Sequence, residues 1–334
     1  MSLSQKILVN TEQFKTGDRL FDPLVAAGYE VEVNESFRRP SETELIEKLQ
    51  AGVVATIAGG EPYTARVFES APHLKIVARW GVGHDQIDVA AATRAGIPVA
   101  MAFGANHESV AEYAHAMSIA LACRIAPRDA MVKSGAWFFD GFHSGLWGRT
   151  AGIIGLGRIG AAMARRCIGG GMDVVVYDPF VGDELLATLD LKRAELDDIF
   201  RTADLISIHA PLTAETRHLV DARRLALIKP TAILVNTSRG PLIDEAALAE
   251  TLAAGRIGGV GLDVFEIEPL PPSSPLRTFD NVLLSPHVSG MDRMAEQLVT
   301  ARCVRSILDF LGGRPELIKP YVINPHVLTG LVAR

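Results

Sequence analysis

The feature that most restricts this chain is its alternation of short apolar runs with stretches of helical pattern. The runs occupy residues 7–9, 31–33, 53–57, 76–78 and 98–100, and then 152–154, 174–177, 205–208, 233–236, 259–262 and 282–284. Runs this short and this apolar read as strands covered on both faces, and helices of about ten residues between them fit crossover connections. Ser41 and Glu44 have the spacing of a capping box at the head of one such helix, residues 41–50. The pattern predicts an α/β architecture of βαβ units with parallel sheets. Between the two series lies a nearly all-apolar helical run, 109–123, with Glu112 and His115 as its polar interruptions. It reads as a helix buried between two domains. The loop-like stretch 131–149 carries Trp137, Phe138, Phe139, Phe142 and Trp147 among glycines. These form either a satellite core under a loop or a subunit interface, and the aromatic content favours the interface. A last helix is expected from about residue 292 to 311.

At 334 residues the chain has length for two domains, each with its own core. Its 33 Lys and Arg against 39 Asp and Glu leave a formal charge of −6, so the basic footprint of a nucleic-acid binder is missing and no nucleic-acid partner is expected. No uninterrupted apolar stretch reaches the roughly 18 residues of a membrane span, and the opening residues offer no signal-peptide core. No membrane partner is expected. Cys123, Cys167 and Cys303 stand far apart without metal-ligand spacing, which argues against a metal site or a disulfide framework and fits a reducing cytoplasm.

Gly155-Leu156-Gly157-Arg158-Ile159-Gly160 is a G-x-G-x-x-G between the apolar run 152–154 and a helical run, 158–167. In that context each glycine has a reason: Gly155 for a tight turn, Gly157 for close approach to a pyrophosphate, Gly160 for packing helix on strand. The helix N-terminus adds unpaired N–H groups and the positive end of its dipole. Asp178 ends the next strand, near the roughly 20-residue spacing expected of the acid that binds the adenosine ribose. Its charge would repel a 2′-phosphate, so NAD is expected rather than NADP. A methyltransferase-like nucleotide site can share this pattern, so the motif leaves the chemistry open.

Three later segments narrow it. They are Asn236-Thr237-Ser238-Arg239-Gly240, the run from Leu262 through Asp263, Glu266 and Glu268 to Pro269, and Leu284-Ser285-Pro286-His287-Val288-Ser289-Gly290. Each sets ionisable residues just past a strand, where open α/β sheets bind ligands. Arg239 could grip a carboxylate in a fork and polarise a neighbouring carbonyl. His287 could give a proton to a forming alkoxide or take one back. Glu268, if bonded to the other ring nitrogen, would stabilise the imidazolium. Together these are the groups needed to move a hydride and a proton at once.

On these motifs the sequence resembles the D-isomer-specific 2-hydroxyacid dehydrogenase family, over about residues 50–312. The resemblance implies two doubly wound parallel-sheet domains with the active site in the cleft between them. A flavodoxin-like substrate domain would take 1–102 plus 289–334, and a Rossmann NAD domain 103–288. It assigns catalysis to Arg239, Glu268 (in preference to Glu266) and His287. It implies NAD contacts from Gly155, Gly157, Arg158, Ile159, Gly160, Asp178, the turn His209-Ala210-Pro211, Thr237, Ser238, Gly290 and Val110. Asp263 would meet the nicotinamide carboxamide. Val82 and Gly83 would bind the substrate carboxylate beside Arg239, and His84 stands where the family usually has a small or aromatic residue. Trp137 matches a position at the family's dimer interface, which implies a homodimer built on that region and the long helix. The implied substrate is a small 2-oxo or 2-hydroxy acid of glyoxylate or hydroxypyruvate type. A phosphorylated substrate is disfavoured because residues 55–61 carry no cation and Glu61 has the wrong sign. D-3-phosphoglycerate dehydrogenase is the alternative, with Arg38, Arg39, Arg66 and Arg79 as substitute cations, although no regulatory C-terminal domain is expected. An NAD-sensing partner protein akin to the family's corepressors is the remoter one.

Overall fold

The computed structural model describes residues 5–36 and 38–329, in two compact units, Met1–Asn106 with Asp292–Arg334, and His107–Met291. The first unit is built on β1 (Lys6–Val9), α1 (Asp22–Ala26), β2 (Glu30–Val33), α2 (Glu42–Gln50), β3 (Val53–Ala58), α3 (Ala65–Glu69), β4 (Ile76–Arg79), α4 (Val89–Arg94) and β5 (Val99–Met101). Its strands pair in parallel in the order β2-β1-β3-β4-β5, a flavodoxin-like order. Side chains alternate across each strand, so Ile7 and Val9 enter one hydrophobic layer while Leu8 enters the other. All six residues of β3 are buried, because helices cover both faces. The capping box on α2 is present, with Ser41 and Glu44 each bonding the other's backbone N–H.

The second unit opens with α5 (His107–Ala122) and α6 (Ile125–Lys133), so residues 131–133 are helical where a loop was expected. It continues through β6 (Thr150–Ile154), α7 (Arg158–Gly169), β7 (Asp173–Tyr177), α8 (Asp183–Thr188), β8 (Lys192–Arg193), α9 (Leu196–Thr202), β9 (Leu205–Ile208), α10 (Ala222–Leu225), β10 (Ile233–Asn236), α11 (Glu245–Ala253), β11 (Gly259–Leu262) and β12 (Val282–Leu284). Its seven strands run parallel in the order β12-β11-β10-β9-β6-β7-β8, the dinucleotide-binding order with one strand added beyond β11. α5 packs on α7 and over β10 and β11. The glycines of β11 make room for it, since a Cβ at Gly259 would stand 3.2 Å from Leu121 and one at Gly261 3.3 Å from Met117. The two-residue edge strand β8 was not foreseen. It is exposed and charged and pairs through its backbone alone, as short protected edges do.

Beyond β12 the chain returns to the first sheet as α12 (Arg293–Leu311) and α13 (Pro315–Ile318). Asp292 caps α12 by accepting the Ala295 N–H at 2.7 Å, and Val299, Cys303 and Ile307 join the layer of Ile7 and Val9. No described helix is long and apolar enough to cross a membrane.

The aromatic segment does not form a satellite core. Trp137 is 87% exposed, Phe142 95% and Trp147 85%. Polar contacts hold it instead: Asp140 accepts from Arg128 at 2.8 Å and pairs with Arg124 at 3.2 Å, which leaves the rings facing outward.

Candidate active site

The strand order of the second sheet reverses between β6 and β9, where doubly wound sheets open a crevice for ligands. Gly155 takes a left-handed φ of +91°, and a Cβ on it would stand 2.8 Å from the His209 carbonyl and the Ala210 nitrogen. The turn after β6 therefore lies against the His209-Ala210-Pro211 turn after β9. At Gly160 a Cβ would overlap the Gly155 carbonyl oxygen, which is the close helix-to-turn packing that only glycine allows. Gly157 is different, since a Cβ there would meet nothing within 4 Å. It is the N-cap of α7 and carries no side-chain cap. Open space above uncapped N–H groups is what a pyrophosphate needs, and it fits NAD. Arg158 and Gly157 are exposed and Ile159 is half-buried.

Asp178 is fixed at the tip of β7. Its two oxygens accept the Leu156 N–H at 2.7 Å and the Phe180 N–H at 2.8 Å, and a carboxylate so held keeps lone pairs for ribose hydroxyls. The His209 ring is held uncharged, because burial pushes it down to about 4; its Nε2 lies 2.9 Å from Ser207 Oγ. His209 Nδ1 and Thr237 Oγ1 are buried without a hydrogen-bond partner among the described residues, two unmet polar atoms of the kind a bound group satisfies. Val110 is buried on α5.

Asn236, Leu262 and Leu284 are paired across β10, β11 and β12, so the three segments singled out above leave the sheet at one height. The Asn236 side chain donates to the Arg239 carbonyl at 2.8 Å and accepts the Ser238 N–H at 3.0 Å. Ser238 Oγ donates to Ile208 O at 2.8 Å, and Arg239 Nη1 to Ser238 O at 2.6 Å. A Cβ on Gly240 would overlap the Phe265 carbonyl group, so the Arg239 segment rests directly on the loop that carries Glu268. His287 Nδ1 lies 2.8 Å from Glu268 Oε2, and Glu268 Oε1 accepts the Phe265 N–H at 3.1 Å. Glu266 pairs elsewhere, with His218.

Asp263, expected to meet the nicotinamide carboxamide, is fully buried, and its carboxylate accepts Ser285 Oγ at 2.6 Å and the Val288 and Ser289 N–H groups at 2.9 Å. Its carbonyl also takes the His287 N–H at 2.8 Å. Asp263 therefore clamps the turn that carries His287 and forces it into a left-handed φ of 57°, which non-glycine residues rarely adopt. Gly290, half-buried, closes that turn.

In the first unit the order reverses between β1 and β3, and a Cβ on Gly59 would stand 2.5 Å from the Asn10 carbonyl. Arg79 donates to Gly83 O at 2.8 Å, to Ala58 O at 3.1 Å and to Trp80 O, so it pins the turn bearing Val82 and Gly83; His84 is exposed. The three other substitute cations each stand beside an acid, Arg39 at 3.6 Å from Glu12. Arg38 forks onto Glu44 and Arg66 bonds Glu42, while the Arg39 guanidinium lies over Gly60, 2.6 Å from where a Cβ would stand.

Glu61, read from sequence only as a charge of the wrong sign for a phosphate, is buried. It is 1% exposed, accepts the Gly59 N–H at 3.2 Å, and burial pushes its carboxyl up to about 6. A raised carboxyl binds more protons folded than unfolded, so it costs stability as pH rises from about 4.5 to 6. Glu61→Gln keeps an acceptor for Gly59 and is expected to raise stability at pH 8 by about 2 kcal/mol. Denaturant unfolding at pH 4.5 and pH 8 checks this; equal stability of the two proteins at both pH values would contradict it.

Among the described residues no group of three His, Cys, Asp or Glu could hold a metal ion. Residues 115–289 match the family model "D-isomer specific 2-hydroxyacid dehydrogenase, NAD binding domain". The chain is 37% identical over 307 residues to a glyoxylate reductase of Korarchaeum cryptofilum, covering 90% of this chain and 91% of that protein. It is 39% identical over 289 residues to a D-3-phosphoglycerate dehydrogenase of Archaeoglobus fulgidus, covering 86% of this chain but only 54% of that protein, so it spans about half the length of that longer relative. Its fold matches that of the D-lactate dehydrogenase of Aquifex aeolicus, solved with NAD and lactic acid, with a TM-score of 0.83 at 26% identity over 96% of this chain and 99% of that one. The chain belongs to the D-isomer-specific 2-hydroxyacid dehydrogenase family and is an NAD-dependent oxidoreductase acting on a CH–OH group.

Proposed function

We propose that the enzyme reduces a small unphosphorylated 2-oxo acid, of glyoxylate or hydroxypyruvate type, to its D-2-hydroxy acid, with Arg239, Glu268 and His287 as the catalytic residues. The observation that carries this reading is the His287–Glu268 pair, held at the same sheet edge and the same height as Arg239. NAD(H), when bound, supplies or accepts the hydride. Gly155 to Gly160, Asp178, the His209-Ala210-Pro211 turn, Thr237, Ser238, Gly290 and Val110 would hold it. Arg239 grips the substrate carboxylate and draws electron density from the adjacent carbonyl. Glu268 occupies Nδ1, so Nε2 is the nitrogen that delivers a proton to the oxygen as it becomes an alkoxide. The imidazolium that must exist before transfer is stabilised by the Glu268 carboxylate. Within the first unit, the main-chain amides of Val82 and Gly83 are the groups we assign to carboxylate binding.

We further assign the outward-facing aromatic segment around Trp137, together with α5, to a homodimer interface, since so much exposed aromatic surface is the composition of an interface core. The expected compartment is the cytoplasm.

NADH oxidation against glyoxylate, hydroxypyruvate, pyruvate, phenylpyruvate and 3-phosphohydroxypyruvate, each repeated with NADPH, tests the substrate. Strong turnover of glyoxylate or hydroxypyruvate with NADH is the expected result. A D-3-phosphoglycerate dehydrogenase is the second reading, favoured by one observation, the Arg39 guanidinium over Gly60. Turnover confined to 3-phosphohydroxypyruvate, and lost in Arg39→Gln, would establish it in place of the first.

A further inference from the structure

Two ionisable side chains outside the assigned machinery converge on the loop that carries Glu268. His218 Nε2 lies 2.5 Å from Glu266 Oε1. Its backbone is left-handed, with φ 51°, and is tied down by its N–H to Pro241 O at 2.8 Å. Glu245, the first residue of α11, accepts the Glu266 N–H through Oε1 at 2.6 Å. The neighbouring Phe265 N–H goes to Glu268. Gly240 also lies on this stretch, where a Cβ would overlap both the Phe265 carbonyl and the Glu266 nitrogen. The peptide between Phe265 and Glu266 is thus fixed by the Arg239–Gly240 backbone and by Glu245, and the peptide before it by Glu268.

We propose that Glu245 is a positioning residue for the His287–Glu268 pair, anchoring the loop that presents Glu268 and adding its charge to the field in which His287 holds its proton. This rests on the reading of His287 as the proton donor. Burial and the negative charges of Glu266 and Glu268 push the Glu245 carboxyl up, so the three acids share one field. The charged groups around them are His218 opposite Glu266, Arg239 on the segment after β10, His287 on the segment after β12, and the clamped Asp263. A negative charge near a general acid favours its protonated form, which is the form reduction uses. Nothing in the motif pattern marks Glu245 or His218, because neither stands at a strand end.

The test is kcat/KM for 2-oxo acid reduction as a function of pH, with NADH affinity read by fluorescence as a check on folding. Reduction requires protonated His287, so activity falls along an alkaline limb. Glu245→Gln keeps an acceptor for Glu266 but loses the charge, and is expected to move the midpoint of that limb down by roughly 0.5 pH unit or more. Glu245→Asp, which keeps the charge, is expected to restore the midpoint toward that of the parent enzyme. A uniform loss of activity at every pH, with the midpoint unmoved in Glu245→Gln, would overturn the proposal and leave Glu245 a structural anchor. If Glu245→Gln fails to bind NADH, Glu266→Gln removes a neighbouring charge from the same field; a stationary midpoint there is equally fatal. Persistence of the limb in a His287 variant would instead refute the proton-donor reading, so the two failures are distinguishable.

Discussion

His287→Asn is expected to lower kcat for 2-oxo acid reduction by about 10³-fold or more while NADH binding changes little. General acid catalysis by a positioned side chain is worth about 10²–10⁴ in rate, and His287 also loses its imidazolium–carboxylate pairing with Glu268. Asparagine is the suitable replacement because His287 sits at φ 57°, a conformation asparagine tolerates better than alanine. The Asp263 clamp on the surrounding turn uses the main-chain N–H groups of residues 287, 288 and 289 and the Ser285 hydroxyl, so it survives the change. Steady-state kinetics with fluorescence titration of NADH measures both quantities. Parallel loss of turnover and NADH binding would mean that the variant disturbed the cofactor crevice, and retained turnover would remove His287 from proton transfer.

Gly240→Ala is expected to be the most damaging single methyl group in the molecule. The added Cβ would overlap the Phe265 carbonyl carbon and oxygen and the Glu266 nitrogen, all backbone atoms that no rotamer change can move aside. Overpacking costs about 1–3 kcal/mol where side chains can yield, so a backbone clash should reach the upper end. A loss of roughly 3 kcal/mol corresponds to about 6–12 °C in melting temperature for a unit of this size. Activity should fall further than stability, because relief of the clash pushes Arg239 away from the loop bearing Glu268. Thermal melting alongside kcat/KM checks both parts; a variant with the parent's melting temperature and activity would show that the two segments do not pack as described.

Local order was the legible part of this protein. Short apolar runs announced the strands because strands covered on both faces carry apolar side chains on each side, and β8 escaped notice because an edge strand of Lys192 and Arg193 needs only its backbone. The glycine motif was readable because Gly155 and Gly160 answer backbone requirements that no other residue meets, while Gly157 leaves open space at the N-cap of α7. Arg239 and His287 could be picked out by their places just past strands.

Partnership was not legible in the same way. Sequence left two acids within reach of His287 until the resemblance chose between them, and it did not reveal that Asp263 clamps the turn carrying His287. Glu61 was read only as a charge unfavourable to a phosphate, and the structure buries it. The outward display of the aromatic segment depends on Asp140 meeting Arg128 and Arg124. The sequence by itself determined which residues form strands and turns and which residue types stand at the strand ends, since those follow from side-chain alternation and backbone sterics over a few neighbouring positions. Only the tertiary structure decided which carboxylate meets which donor, because that depends on strand register and on close approaches such as Gly240 against Phe265, set between segments far apart in the chain.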